Sequence, residues 1–385
     1  MNLGRMSRPG GCYVPSKAYD GYTLFAPLHG SGPWLIDMEG NLVHHWAVDG
    51  DPACHGVLLE NGNLLYAGKT ADSALPEIGP GGGDLLEIDW KGNVVWKYHD
   101  PYMHHDFKRL PNGNTMILRW VETPDSIAKK IKGGIPGTER EGVMWSDSYQ
   151  EIRPDGKVAW EWLGYEHLDP ETDTICPLCP RVEWTHINTC SVLPDGNILT
   201  SLIQQNTIAI IDKSTGNVKW RWGRGKLGHP HNPTYLENGN ILVFDNGAHL
   251  PGPVNCVGVS RILEVNLDGE IVWEFMEAST LHFFSSHISG AQRLPNGNTL
   301  ICEGTIGRFI EVTPEKEIVW EYSSPFYFRA HVLHGLGNNV FRAHRYGPDY
   351  PGLQGKNLDP ERYELVLREK SKAKLRERRL IGLGY

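Results

Sequence analysis

The sequence predicts an all-β protein, a six-bladed β-propeller with a C-terminal helix. Three observations support it: two signatures that each recur six times, a period on the order of 40–60 residues, and the composition. The 385 residues include 44 glycines, 26 prolines and 13 tryptophans, which is typical of β proteins with many tight turns. A seven-bladed ring is the alternative if 23–27 and 340–347 belong to different blades.

The first signature is a hydrophobic stretch that ends in a polar turn, mostly Asn-Gly-Asn. It occupies 55–63, 105–114, 188–197, 231–240 and 289–298, with a degenerate sixth copy at 331–339. Asn-Gly and Asp-Gly between apolar runs indicate β-hairpins, so we expect positive φ at both turn residues. Each copy then supplies the two inner strands of a blade.

The second signature is a hairpin with an aromatic end, at 34–46, 85–98, 149–162, 208–222, 262–275 and 309–322. One position of this hairpin is equivalent in all six copies. It is occupied by His44 in the first copy and by a tryptophan in the other five, namely Trp96, Trp160, Trp220, Trp273 and Trp320. We interpret these side chains as packing between neighbouring blades, not as site residues.

The two ends of the chain are predicted to form one blade together. The N-terminal part has a first hairpin but no inner strand before it, and the segment 331–346 supplies one. We therefore expect a propeller over 21–350, closed by pairing of about 22–47 with about 331–346, which removes open sheet edges. The remainder is an N-terminal tail, 1–20, and a helical tail, 351–385, opened by Asp359-Pro360.

Charge and hydropathy exclude several classes of function. With 37 basic and 46 acidic residues the formal charge is −9, which argues against a nucleic-acid partner. No stretch approaches the ~18 apolar residues of a membrane span, so no membrane partner is expected. The N-terminus lacks the apolar region of a secretory signal, which predicts a cytoplasmic protein unless a leader was trimmed. The oligomeric state stays open.

Two insertions, 121–147 and 163–183, interrupt the repeat and are predicted to be lids over the site. The second contains Cys176-Pro-Leu-Cys179, while the seven cysteines as a set are scattered and form no disulfide framework. An inert or stapling pair is the favoured interpretation. A zinc site is the alternative, with Cys190 or His186 as further ligands.

The histidines follow the phase of the blades. In each copy of the first signature a leucine stands two residues before the Asn or Asp of the turn. The residues five places before this leucine include His105, Asn188, His231 and Ser289. The histidines seven places before it are His186, His229 and His287. Both positions fall on one face of a strand at or before its start. His55 and His331 lie near the same level. Because inner strands line the channel of a propeller, these side chains are predicted to ring one mouth.

Such a ring is compatible with three kinds of chemistry: metal binding, general acid–base catalysis and nucleophilic catalysis. The nearest carboxylates are Asp106 and Glu303, and neutral hydrogen bonds would come from Asn188, Gln204 and Gln205. Candidate cations for an anionic ligand are Arg308, Arg342 and Arg345. Asp245-Asn246-Gly247 is interpreted mainly as a turn.

These residues resemble the bacterial arylsulfate sulfotransferase family of six-bladed propellers. The resemblance covers most of 85–322 and is clearest at His104-His105-Asp106, at His186-Ile-Asn188-Thr189 and at His231 with 235–247. It implies that His231 carries the sulfuryl group of an aryl sulfate to a phenol, without a cofactor. It also implies that His105, His186 and Asn188 bind the sulfuryl oxygens. Where the family has an arginine, this chain has Gln204 or a neighbour.

The predicted site therefore has His231, His105 and His186 as catalytic residues and a small anionic or aromatic substrate. Predicted substrate-binding residues are Asn188, His229, His287, Gln204, Arg308 and Arg342. The main alternative is a lyase or hydrolase that uses the same histidine cluster on an anionic substrate. It would work either by proton abstraction or with a divalent metal held among His105, His186, His229, His231 and His287. The second alternative is a non-catalytic binding propeller.

Overall fold

Six antiparallel sheets surround one axis in the computed structural model, and each contains a four-stranded meander. The structure describes residues 12–48, 50–76, 78–79, 81–250, 258–277, 282–330 and 335–361. The six-bladed propeller is thus confirmed. The seven-bladed alternative is wrong, because the first hairpin and the last strand share one sheet, in which Thr23 lies opposite Arg345.

The first three blades contain most of the longer strands. Blade one is formed by β2 (Tyr22–Pro27), β3 (Trp34–Ile36) and β4 (Leu42–His45), with β29 (Val340–Tyr346) as its innermost strand. Blade two is formed by β5 (Pro52–Leu58), β6 (Leu64–Lys69), β7 (Gly83–Ile88) and β8 (Val94–His99). Blade three is formed by β9 (Met103–Arg109), β10 (Thr115–Glu122), β12 (Trp145–Ile152) and β13 (Val158–Leu163).

The other three blades repeat the pattern. Blade four is formed by β15 (Ser191–Val192), β16 (Ile198–Leu202), β17 (Thr207–Ile211) and β18 (Val218–Trp222). Blade five is formed by β19 (His231–Tyr235), β20 (Ile241–Asp245), β21 (Arg261–Val265) and β22 (Ile271–Phe275). Blade six is formed by β23 (Gly290–Arg293), β24 (Thr299–Glu303), β25 (Arg308–Val312) and β26 (Ile318–Ser323), and β1 (Cys12–Tyr13) extends its outer edge.

A few short elements lie outside the blades. Strands β11 (Gly133–Ile135) and β14 (Ile175–Pro180) pair with each other, as do β27 (Phe328–Ala330) and β28 (Gly335–Gly337). The helices are α1 (Asp125–Ala128) and α2 (Gly164–His167), and 3₁₀ turns occupy Ile203–Gln205, Gly304–Ile306 and Pro351–Leu353. Most of the predicted C-terminal helix, 362–385, and His331 lie outside the described residues. No helix in the described ranges is long and apolar enough to cross a membrane.

The hairpin turns differ from the sequence expectation in one respect. Gly113 has a φ of 84°, but the preceding Asn112 does not have positive φ. Asn112 instead accepts a hydrogen bond from the amide of Asn114 at 3.0 Å and donates one to Glu151 at 3.0 Å. A three-residue hairpin loop needs only one left-handed residue, here Gly113, because the residues before it form a type I turn. The asparagine side chain stabilises that turn by its hydrogen bonds.

The aromatic side chains at this equivalent hairpin position join neighbouring blades, as the sequence indicates. The indole Nε1 of each of the five tryptophans donates to a backbone carbonyl of the next blade, at 2.8–3.2 Å, for Trp96, Trp160, Trp220, Trp273 and Trp320. His44 stacks on Trp90 with ring centroids 4.0 Å apart. These side chains hold the ring together.

The two insertions pack against each other at the mouth where the inner strands begin. Ile131 and Met144 of the first insertion share an apolar cluster with Leu168 and Ile175 of the second. Arg181 fastens them further, since its guanidinium donates to Glu139 at 2.6 Å. Strand β14 also contacts the 3₁₀ turn at Ile203–Gln205. The insertions thus form one unit beside blade four.

Candidate functional site

The chain is irregular where the inner strands begin. His105, His186 and His229 have φ angles of 51°, 49° and 55°, and the pairing of β9 with β10 is shifted between Ile117 and Leu118. Left-handed backbone at a residue other than glycine costs about 1–3 kcal/mol and is concentrated at ligand sites and switch regions. The irregular backbone redirects these side chains relative to regular strands.

Three histidines from different blades meet at this mouth. The rings of His105 and His186 lie perpendicular to each other with centroids 4.6 Å apart. Burial lowers the pKa of His105 well below its ordinary value, and the nearby His186, His104 and His231 lower it further. His105 and His231 are both buried. The rings of His105 and His231 lie 6.1 Å and 6.4 Å from the ring of Phe341, so the structure places the three histidines near one another.

The hydrogen bonds around His231 define which of its nitrogens carries the proton. The amide nitrogen of Asn246 donates to the carbonyls of Ser285 at 2.8 Å and Ile288 at 3.0 Å. Its Oδ1 therefore faces Nδ1 of His231, at 2.8 Å, and the carbonyl of His229 lies 3.1 Å from the same nitrogen. Two acceptors require a proton on Nδ1, which leaves the lone pair on Nε2.

His186 has a carboxylate partner. Its Nδ1 contacts Glu183, a buried residue that also accepts a hydrogen bond from Trp120 at 2.6 Å. Burial works to lower the pKa of His186, but the charges of Glu183 and Asp147 outweigh it and raise the pKa above its ordinary value. His186 is thus the group at this mouth that most readily carries a positive charge.

A second carboxylate supports His105 through its neighbour. Nδ1 of His104 lies 2.7 Å from Nδ1 of His105, and Nε2 of His104 lies 3.0 Å from Asp147. Asp147 also accepts hydrogen bonds from the hydroxyl of Thr185 and from the amide of Ile187. Asp147 thus lies against His104 and holds the start of the chain segment that carries His186.

Below the histidines, Asp106 joins four blades. It accepts hydrogen bonds from His55 at 2.9 Å, from the amide of Cys190 at 2.8 Å and from Arg342 at 3.0 Å. Burial works to raise the pKa of Asp106, but Arg342 and His55 outweigh it and hold the pKa below its ordinary value. Arg342 is therefore engaged by a carboxylate at the axis.

The other predicted residues take varied positions. Asn188 is buried and donates to the carbonyl of Pro230 at 3.1 Å, so it connects blades four and five. His287 is exposed, and its Nδ1 contacts Ser286 at 2.9 Å. Gln204 is buried, and its Oε1 has no hydrogen-bond partner among the described residues.

Two arginines do not join the histidines. Arg308 lies on β25, two strands out from the inner strand β23, and binds the carboxylates of Glu277, Glu303 and Glu321. Arg345 is buried between blades, where it contacts Glu311 at 3.3 Å. Both guanidinium groups are therefore engaged by carboxylates within the fold.

Sequence reasoning missed several groups at the mouth. Asp147 and Glu183 lie at the ends of the insertions, where blade phase gives no guidance, and Asn246 was interpreted mainly as a turn. The sequence did contain one usable signal: Glu183 precedes His186 by three residues. His249, which follows β20, carried no signal of its own.

His229 takes part in a different cluster. Ligand atoms of Cys176, Cys179, His229 and His249 all lie within 4.8 Å of one another, the only such metal-compatible group among the described residues. Of the five histidines considered as metal ligands, only His229 belongs to it. Cys190 and His186, which the sequence suggested as partners of the cysteines, do not.

An axial cavity of about 340 Å³ lies on the other side of Asp106. Its lining includes His55, Asp106, Arg342, His344 and Tyr346, but not His105, His186 or His231. The cavity and the histidine mouth are therefore separate features of the axis.

Several solved structures are similar to the chain at low sequence identity. A protein of unknown function from Bacteroides caccae shares 15% identity with the chain, covers 85% of it and 100% of its own length, and superposes with a TM-score of 0.51. An inactive virginiamycin B lyase from Staphylococcus aureus with quinupristin shares 13% identity, with coverages of 81% and 86% and a TM-score of 0.45. A streptogramin B lyase shares 11% identity, with coverages of 89% and 96% and a TM-score of 0.46.

At 15% identity, the likeness to the Bacteroides caccae protein shows the fold alone. No curated protein matches the chain significantly. The family model described as arylsulfotransferase (ASST) matches residues 55–325. Apart from the start of β5 and the added strand β1, this range contains every blade except the one closed by the two ends of the chain. The chain therefore belongs to the arylsulfotransferase family.

Proposed function

We propose that the protein transfers the sulfuryl group of an aryl sulfate to a phenol through His231. The observation that carries the proposal is the set of contacts at His231: two acceptors hold the proton on Nδ1 and leave the lone pair on Nε2. No described residue hydrogen-bonds Nε2, so this nitrogen is free to act as a nucleophile.

The first half of the reaction forms a sulfohistidine. Nε2 of His231 attacks the sulfur, and the nitrogen–sulfur bond forms as the bond between sulfur and the aryl oxygen breaks. The electron pair leaves with the phenolate, which takes a proton from the imidazolium of His186. Before that transfer, the same imidazolium stabilises negative charge on the sulfuryl oxygens, the task for which the family uses an arginine.

The second half reverses these steps with a new phenol. The acceptor gives its proton to His186, its oxygen attacks the sulfur, and the electron pair of the nitrogen–sulfur bond returns to Nε2. One acid–base group serves both halves because each half is chemically the reverse of the other. His105 packs edge-on against the ring of His186, whose Nδ1 contacts Glu183.

The covalent intermediate provides the direct test. Protein mixed with p-nitrophenyl sulfate and no acceptor is expected to gain the mass of one SO₃ group and to lose it when phenol is added. The His231→Gln variant should gain nothing, whereas His99→Asn, an exposed control, should behave as the wild type. Release of free sulfate by a protein that never gains this mass would instead favour a hydrolase.

Replacing Glu183 tests the role of His186 through pH. Because the Glu183 charge raises the pKa of His186, the wild type retains the imidazolium to higher pH, and activity falls as pH rises through that pKa. In Glu183→Gln this fall in kcat/KM should move to lower pH. Other charged or titratable groups facing His186 are Asp147, His105, His229, His231 and His287. An unchanged pH profile would remove His186 as the proton donor.

A further inference from the structure

The four-residue group of Cys176, Cys179, His229 and His249 has the composition of a structural metal site. The two cysteines lie on β14 of the second insertion, and the two histidines flank the first two strands of blade five. The sulfur of Cys179 lies 3.2 Å from Nε2 of His229 and 3.5 Å from Nδ1 of His249, and the sulfur of Cys176 lies 3.7 Å from the latter.

Two of these three distances fall within the edge lengths of a zinc tetrahedron, and the 3.2 Å distance lies just below them. With Zn–S of about 2.3 Å and Zn–N of about 2.0–2.1 Å, tetrahedral ligand atoms lie about 3.3–3.8 Å apart. Two thiolates and two neutral imidazoles also balance the charge of one Zn²⁺. Softer sulfur ligands in a tetrahedral arrangement favour zinc over Mg²⁺ or Ca²⁺, which prefer oxygen and higher coordination numbers.

The surrounding structure holds the ligands in this arrangement. Both cysteines are buried within the apolar cluster that joins the two insertions. His229 and His249 have positive φ angles of 55° and 58°, and the amide of His229 donates to Asn206 at 2.9 Å. The backbone is thus constrained to present both imidazoles to the cysteine pair.

We propose that Cys176, Cys179, His229 and His249 bind one structural zinc ion that fastens the second insertion to blade five. All four positions are taken by protein ligands, so the ion has no open site for substrate. It does affect the mouth indirectly. The carbonyl of His229 contacts Nδ1 of His231, and Glu183 follows Cys179 by four residues. The ion would therefore position the nucleophile and the carboxylate partner of His186 relative to each other.

The decisive experiment measures metal in purified full-length protein and does not depend on sulfuryl transfer. We expect about one zinc per chain, reduced to trace in a Cys176→Ser/Cys179→Ser double variant and strongly reduced in His249→Ala. The matched control Cys302→Ser, another buried cysteine, should retain the zinc. Wild-type protein with only trace zinc after growth in zinc-supplemented medium would overturn the proposal, as would full zinc content in the double variant.

A second measurement covers the case in which the double variant fails to fold. Wild-type protein stripped with a chelator and loaded with Co²⁺ should show the intense visible bands of tetrahedral cobalt and a thiolate-to-cobalt charge-transfer band. Octahedral spectra without charge transfer would overturn the proposal. So would a Cys176–Cys179 disulfide, found by peptide mapping under non-reducing conditions.

Discussion

Replacing His231 with alanine is expected to lower kcat/KM for a chromogenic aryl sulfate by about 10⁴–10⁶-fold, the range seen when a covalent nucleophile is removed. Two acceptors fix the proton on Nδ1 of His231 and leave the lone pair on Nε2 free, whereas Glu183 and Asp147 favour the protonated form of His186. Added imidazole should restore part of the activity, because a free ring can occupy the space and accept the sulfuryl group. Steady-state kinetics with and without imidazole measure both effects.

The partner of His231 gives a graded control. Asn246→Leu removes the acceptor that fixes the tautomer while leaving the ring in place, so kcat should fall less, by about 10²-fold, with a smaller change in KM. Circular dichroism must show that this variant is folded, since the amide of Asn246 also binds two carbonyls. If His231→Ala retains turnover near the wild-type rate, or if imidazole rescues nothing while the variant is folded, His231 is not the nucleophile.

The sequence predicts the propeller well because its information is periodic. Two signatures repeat with the blades, and they place the inner strands, the turns and the tryptophans that join neighbouring blades. The same periodicity brings His105, His186 and His231 to one level. Equivalent positions on a closed ring face one axis, so blade phase alone is sufficient for that inference.

The remaining parts of the mouth have no such period. Asp147 and Glu183 come from the ends of insertions, and their contacts depend on how two irregular segments pack together. His249 meets the Cys176–Cys179 pair, 70 or more residues earlier in the chain. Arg308 illustrates a different error. The sequence predicts that it binds substrate, but three neighbouring carboxylates bind its guanidinium instead. Spacing in the sequence does not encode these pairings.

The largest expected effect on stability comes from Asp106→Ala. Asp106 and Arg342 have side chains only 4% and 5% exposed, and the change leaves the guanidinium buried without its carboxylate. Breaking such a pair costs about 3–5 kcal/mol. His55 and the amide of Cys190 lose an acceptor at the same time, so contacts from three other blades weaken together. Denaturant titration should show a lower free energy of unfolding.

A double variant separates the charge from the loss of packing. Asp106→Leu/Arg342→Met removes both charges and keeps apolar volume, so it should recover much of the stability lost in Asp106→Ala, since replacing both partners avoids a buried unpaired charge. The exposed pair of Lys132 and Glu171 supplies the control: Glu171→Ala should leave the transition unchanged, because surface ion pairs contribute little. If Asp106→Ala unfolds at the same denaturant concentration as Glu171→Ala, Asp106 does not bind the blades together at the axis. The ring then depends instead on its indole contacts and on the pairing of its terminal strands.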